Sequence, residues 1–219
     1  MSLLSFWTTF DAAAQSIVGL VADFATSKPG TWSASSFTLR DECFLEGLLS
    51  RAWQEWSVFC RRSVIASCMG TTDGSGNVVV GLPGAPTEQQ ISWAAIQAKR
   101  GRTPVWGGTN SSLRLEPTWG DVDVLAAILR SLNPSNSSQL LAAASTVYAS
   151  AKAIQLVRNA SAHNHHQNIA KILALGATYV AFGITHPTHA LFWAEPASGE
   201  FLVTQAIQEL SAIARIGIG

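Results

Sequence analysis

Apolar residues recur along this chain in alternating steps of three and four, the period of a helix with one buried face. Residues Leu3 to Ala25 place Phe6, Phe10, Ala13, Ile17, Leu20, Val21 and Phe24 on one side, and Lys28-Pro29-Gly30 ends that element. A Ser-rich stretch, Ser33 to Ser36, precedes a long helix predicted from about Leu39 to Ser67, with Leu45, Leu48, Leu49, Ala52, Trp56, Phe59 and Cys60 facing inward. The texture changes from Gly70 to Pro86. Asp73-Gly74-Ser75-Gly76-Asn77 is turn-rich, and Val78-Val79-Val80 has the strongest strand character in the chain, so a short hairpin or an irregular loop is expected there. A helix follows from Thr87, an N-cap type, to Lys99-Arg100, and Gly101 to Glu116 reads as a flexible insertion. The helical period returns after Pro117. Asn133-Pro134-Ser135-Asn136 is a turn and cap, and a helix runs from it through Leu140, Ala144, Val147, Ala151 and Ile154 to Arg158. Another is expected from about Asn164 to Gly176. His186-Pro187-Thr188-His189 is a break, and a last amphipathic helix carries Leu202, Ala206, Ile207, Leu210 and Ile213.

Such a pattern predicts a mostly α fold, an up-and-down helical bundle forming one domain over residues 1–219, with a small irregular or β insertion at 70–118. Composition agrees: 47% hydrophobic and 13% charged residues describe a folding chain, with little charge to keep its surface solvated. That low charge fraction points to surface buried in an oligomer. Formal net charge is zero, from 14 basic and 14 acidic residues, so any contact with nucleic acid should be local and not an extended track. Cys43, Cys60 and Cys68 lack CxxC spacing and read as reduced core thiols of a cytoplasmic protein. The N-terminus has no basic region, and Asp11 interrupts its apolar run, which argues against a signal peptide. Ile172 to Ala194 carries no formal charge, but Gly176, Gly183, Pro187 and two histidines break it, so it reads as buried core and not a membrane span.

The candidate chemistry lies where the 140–158 stripe ends. The next position on that buried face is Arg158, followed by Asn159, Ala160, Ser161, Ala162 and His163. A stripe that closes on a permanent cation needs an anion, a carbonyl or a wet cleft at that end. Asn159 and His163 are one turn apart on one face, and His166 continues it; Arg158 and His163 are about 140° apart around a regular helix. Meeting would require a bent helix, a long reach by the arginine, or a second copy of the chain. Together these groups suit transfer within a phosphodiester. Arg158 would hold the phosphate, His163 would move a proton near neutral pH, and Asn159 would fix the imidazole tautomer or position a ribose hydroxyl.

Arg158-Asn159-x-x-Ala162-His163 at the end of an apolar helix resembles the signature of the HEPN superfamily, an Arg followed at four to six residues by His, often with Asn directly after the Arg. The resemblance implies a small all-helical domain that dimerises, bringing two Arg/His pairs into one cleft, and a metal-independent endoribonuclease of a toxin–antitoxin, abortive-infection or other defence system. It implies no cofactor, with RNA as substrate and an antitoxin or defence-system protein as partner. The run Ala52-Trp53-Gln54-Glu55-Trp56 is similar to the family's aromatic-plus-Glu segment, which makes Glu55 a supporting candidate; Glu55 could equally pair with Arg51 one turn earlier. His165 stands where some members carry an AMPylated tyrosine.

Other readings of the same residues remain open. An arginine near a helix C-terminus interacts with the last carbonyls, contributing ~0.3–1 kcal/mol without any catalysis. Lys99, Arg100 and Arg102, near Trp93 and Trp106, would make an RNA-contacting lip, or simply a positively charged helix end. Asp121 and Asp123 read as first-turn carboxylates in preference to metal ligands. All five histidines lie between His163 and His189; His163 or His165 with His166, His186 and His189 could ligate zinc, but the spacing fits no established motif, and no metal is expected. The alternative function is a non-catalytic helical module that binds RNA, a nucleotide or a protein, such as an antitoxin or a defence-complex subunit.

Overall fold

The computed structural model describes residues 1–28, 30–110, 115–163 and 166–219. Pro29, residues 111–114 of the 101–116 insertion, Asn164 at the expected start of a helix, and His165 lie outside them. The fold is mostly α. Eight α-helices occur among the described residues: α1 (Leu3–Thr26), α2 (Leu39–Met69), α3 (Glu88–Lys99), α4 (Val122–Leu132), α5 (Ser137–Thr146), α6 (Tyr148–Ala162), α7 (His166–Leu175) and α8 (Leu202–Gly217). The expected hairpin forms from β1 (Thr71–Thr72) and β2 (Val78–Val79), antiparallel, with Thr71 opposite Val79. Its turn is held by Asp73, whose carboxylate accepts the backbone N–H groups of Ser75 and Asn77. Among the described residues no single helix is long and apolar enough to cross a membrane.

Local chemistry explains the helix starts. Thr87 and Gln90 form a reciprocal capping box at α3, the Thr87 hydroxyl accepting from the Gln90 N–H and Gln90 Oε1 accepting from the Thr87 N–H at 2.8 Å. Asp121 caps α4 by accepting from the Asp123 N–H, and Asn133 ends that helix in the left-handed region at φ 48°. At α2, Asp41 Oδ2 accepts from the Thr38 N–H and from Lys28 Nζ at 2.6 Å. Burial pushes the Asp41 carboxyl up, but those bonds outweigh it and bring it down to about 2.

The chain divides into two compact units, each discontinuous in sequence. The first comprises residues 1–11, 55–148 and 211–219. Phe10, Trp56 and Phe59 pack as a ring cluster, and the Trp56 indole donates to the Gly120 carbonyl. The segment 70–118 lies within this unit, where α3 buries Ile91, Ala94, Ala95 and Ile96 and packs against α4.

The second unit comprises residues 12–54 and 149–210. Its core is aromatic. Phe24, Trp32, Phe37, Phe192 and Phe201 meet in stacked and edge-on pairs, the tightest being Trp32 on Phe192 at 4.5 Å. A 3₁₀ turn, Pro187–Phe192, lies entirely buried in it. Trp193 follows, also buried, with its indole N–H donating to the Phe182 carbonyl. Gly176 packs against this indole so closely that an added Cβ would sit 2.9 Å from two ring carbons. Gly176→Ala is therefore expected to destabilise the protein by about 1–3 kcal/mol, the usual cost of overpacking a dense core. Urea denaturation checks this, and an unchanged midpoint would refute it.

Three sequence expectations are corrected. The helix expected from Asn136 to Arg158 is two helices, α5 and α6, separated at Val147. The Ser145 and Thr146 hydroxyls donate back to the carbonyls of Leu141 and Ala142, a pattern that bends helices. Residues 172–194 are not uniformly buried. Leu173 and Val180 are exposed, and the buried run is Pro187 to Trp193. Cys43 is exposed on α2, whereas Cys60 and Cys68 are core thiols; all three are free.

Candidate functional site

The end of α6 belongs to the second unit. Its buried seam continues through Ile154, Val157 and Ala160, so Arg158 lies at the seam's edge and is only part-buried. A guanidinium placed there keeps access to water and needs no sealed counter-ion. Arg158 Nη1 donates to Asn159 Oδ1 at 3.1 Å, its hydrogen-bond partner among the described residues. Asn159 Oδ1 thus accepts from the arginine and not from an imidazole among the described residues.

Arg158 lines an open cleft of about 220 Å³, together with Glu46, Leu49 and Ser50 of α2 and Ser161 and Ala162 of α6. The floor is apolar at Leu49, which is buried, and the rim holds one cation, one carboxylate and two hydroxyls. That donor set suits a phosphate carried on a sugar. The guanidinium offers planar N–H donors, and the hydroxyls and carboxylate offer partners for a ribose.

His163 stands one residue past the end of α6. Its backbone N–H still bonds the Asn159 carbonyl at 2.9 Å, but its side chain is exposed and does not line the cleft. Among the described residues the imidazole has no hydrogen-bond partner. Within one chain, then, Arg158 and Asn159 are brought together, and His163 shares their helix end with its imidazole hydrogen-bonded to neither.

The supporting candidates separate. His166 is the first residue of α7 and is exposed. Glu55 lies on α2 but does not line the Arg158 cleft; the carboxylate that does is Glu46. Lys99, Arg100 and Arg102 are exposed at the end of α3, in the first unit. Of the neighbouring rings, Trp93 has the Gly108 backbone packed directly on its indole, which leaves that face closed to a stacking base; Trp106 is 38% exposed.

Sequence reasoning missed two carboxylate–imidazole pairs in the second unit. His189 Nε2 lies 3.1 Å from Glu42 Oε1, and His186 Nε2 lies 3.4 Å from Glu46 Oε1. His189 is fully buried, stacked on Phe37 at 4.2 Å, and its Nδ1 accepts from the Thr185 N–H. Burial lowers its pKa, outweighing the opposite pull of Glu42, so this imidazole is neutral at neutral pH. The available signal was a pair of matched spacings, Glu42 and Glu46 one turn apart on α2, and His186 and His189 flanking Pro187-Thr188. His186 and His189 thus face carboxylates, and among the described residues no group of three or more His, Cys, Asp or Glu is arranged to hold a metal ion.

No protein-family model, no curated protein and no solved structure matches the chain.

Proposed function

We propose that the protein is a metal-independent endoribonuclease of the HEPN type, acting as a toxin or defence effector. One observation carries this reading. The guanidinium of Arg158, steadied by Asn159, opens onto an open cleft at the same helix end that presents the exposed imidazole of His163. In the reaction the ribose 2′-oxygen attacks the adjacent phosphorus. The products are a 2′,3′-cyclic phosphate and a 5′-hydroxyl. Arg158 offsets the charge that grows on the phosphoryl oxygens, His163 acts as base or acid, and Asn159 keeps the guanidinium in place. A homodimer would bring a second His163 to each Arg158, which answers the separation of the two groups within one chain. RNA is the substrate, and an antitoxin or another defence-system protein is the partner that restrains it.

A non-catalytic RNA- or protein-binding module is the second reading. It is favoured by the lack, among the described residues, of any hydrogen bond from the His163 imidazole to Arg158 or Asn159. Incubating purified protein with RNA in EDTA separates the two. The nuclease reading expects fragments ending in 2′,3′-cyclic phosphate and 5′-hydroxyl, with a rate reduced about 10²–10⁴-fold in His163→Ala. RNA binding without turnover would establish the binding module instead.

A further inference from the structure

The two carboxylate–imidazole pairs differ in what they can reach. Glu42–His189 is closed off, with His189 at 0% and Glu42 at 22% side-chain exposure. Glu46–His186 is open, at 41% and 23%. Glu46 is also the carboxylate of the Arg158 cleft. The His186 ring is fixed from its other side. The Thr188 N–H donates to Nδ1 at 3.4 Å, and the Thr188 hydroxyl lies 2.8 Å from the same nitrogen. With Nδ1 accepting, the hydrogen-bond pattern assigns the ring proton to Nε2, which points at Glu46 Oε1. An open glutamate on a helix would otherwise sample several rotamers. Here one oxygen is tied to an anchored N–H donor, and the same side chain lines the cleft.

We propose that Glu46 is the second proton-transfer group of the Arg158 cleft and that His186 is the positioning residue that holds its carboxylate there. The proposal rests on the nuclease reading. An in-line displacement is served by a base at the attacking oxygen and an acid at the leaving oxygen, and Glu46 is the carboxylate that already lines the Arg158 cleft, which His163 of the same chain does not. Glu46 takes the proton from the 2′-hydroxyl as the O2′–P bond forms. The P–O5′ bond breaks, and O5′ takes a proton from the His163 imidazolium. Glu46 ends as the neutral acid and His163 as the neutral imidazole, and proton exchange with water restores both. No electrons are transferred to or from the chain. The groups facing the pair are few. Arg158 shares the cleft with Glu46, and the His189 ring lies 5.9 Å from that of His186, with Glu42 behind it.

The test is the steady-state kinetics of RNA cleavage by the full chain and by Glu46→Gln, His186→Ala, His186→Gln and Arg158→Ala, each first checked for a cooperative thermal transition. Glu46→Gln is expected to lower kcat about 10²–10⁴-fold with little change in KM. His186→Ala should lower kcat about tenfold, on the scale of losing a supporting hydrogen-bond partner. His186→Gln, whose amide can still donate to Glu46, should recover most of that loss. If Arg158→Ala is inactive while Glu46→Gln cleaves at the parental rate, this proposal alone is overturned. A parent that does not cleave RNA overturns both this and the nuclease reading. Equal losses in His186→Ala and His186→Gln overturn the positioning role. Should His186→Ala fail to fold, Glu46→Gln and His186→Gln decide the matter, since the first keeps the side-chain shape and the second keeps an N–H donor for Glu46.

Discussion

Replacing Arg158 with alanine is expected to lower RNA cleavage about 10²–10³-fold, the usual cost of removing one group aimed at transition-state charge. The thermal transition should stay where it is. The helix seam is carried by Val157 and Ala160, and the guanidinium bonds only its neighbour Asn159 among the described residues, so little packing is lost. Substitutions at such positions usually change stability by about 0.5 kcal/mol or less. Arg158→Lys sharpens the expectation. It keeps the positive charge but loses the planar fork that can hold two phosphoryl oxygens at once. Its rate should therefore fall between those of the parent and the alanine variant. The loss should appear in kcat more than in KM, because charge on the phosphoryl oxygens grows toward the transition state. Steady-state kinetics on a defined oligoribonucleotide provides the measurement. Parental kcat in Arg158→Ala would remove Arg158 from the chemistry, and a collapsed thermal transition would assign it to structure instead.

The helices were legible wherever period and chain punctuation agreed. Helices α1 and α3 were marked by a stop at Lys28 and a cap at Thr87, and α2 by the apolar face through Leu45, Leu49, Ala52 and Trp56. The break at Val147 was not legible. Ala144, Val147, Ala151 and Ile154 hold their spacing across it and are all buried, so the apolar period carries no trace of the interruption. The hydroxyls of Ser145 and Thr146 bond back to carbonyls just before the break, and such bonding leaves the apolar pattern untouched. Residues 172–194 show the reverse error, since absence of charge does not imply burial: Val180 is 63% exposed in an uncharged stretch.

At the site, Arg158 and Asn159 were legible because they are adjacent on one helix. Glu46 was not, because its place beside Arg158 depends on how α2 and α6 pack. Glu55 and Glu46 are nine residues apart, about 180° around the same helix, so choosing one turns away from the other. His186 was visible only as part of a histidine-rich stretch. Its meaning comes from Glu46, 140 residues earlier in the chain, and periodicity carries no information over that separation.

Loss of the Glu116 carboxylate should strongly destabilise the first unit. Its oxygens accept from Arg61 Nε and Nη2, both at 2.7 Å, from the Ser92 hydroxyl at 2.8 Å and from the Trp119 indole at 3.0 Å. Asn110 extends the network by donating to Ser92 at 2.9 Å. These bonds join α2, α3 and the segment leading into α4, and the Glu116 side chain is 10% exposed. Removing one member of a buried pair typically costs ~3–5 kcal/mol, because the partner charge is stranded. Arg61 is 23% exposed and keeps a 2.9 Å contact to Glu88, so Glu116→Ala belongs at the lower end, about 3 kcal/mol. Acid should reproduce the loss. Burial pushes the Glu116 carboxyl up, but the bonds from Arg61, Ser92 and Trp119 outweigh it and hold the group below the usual glutamate range. A carboxyl lowered in the folded state stabilises at pH values above its unfolded pKa, about 4.3. That contribution disappears as pH falls through the lower folded value. Urea denaturation of parent and Glu116→Ala should therefore show a gap that is constant from neutral pH down to about 4.3 and narrows below it. A gap that stays constant well into acid would mean that the alanine costs packing alone, and that the Arg61–Glu116 charge pair contributes nothing to holding α2 and α3 together.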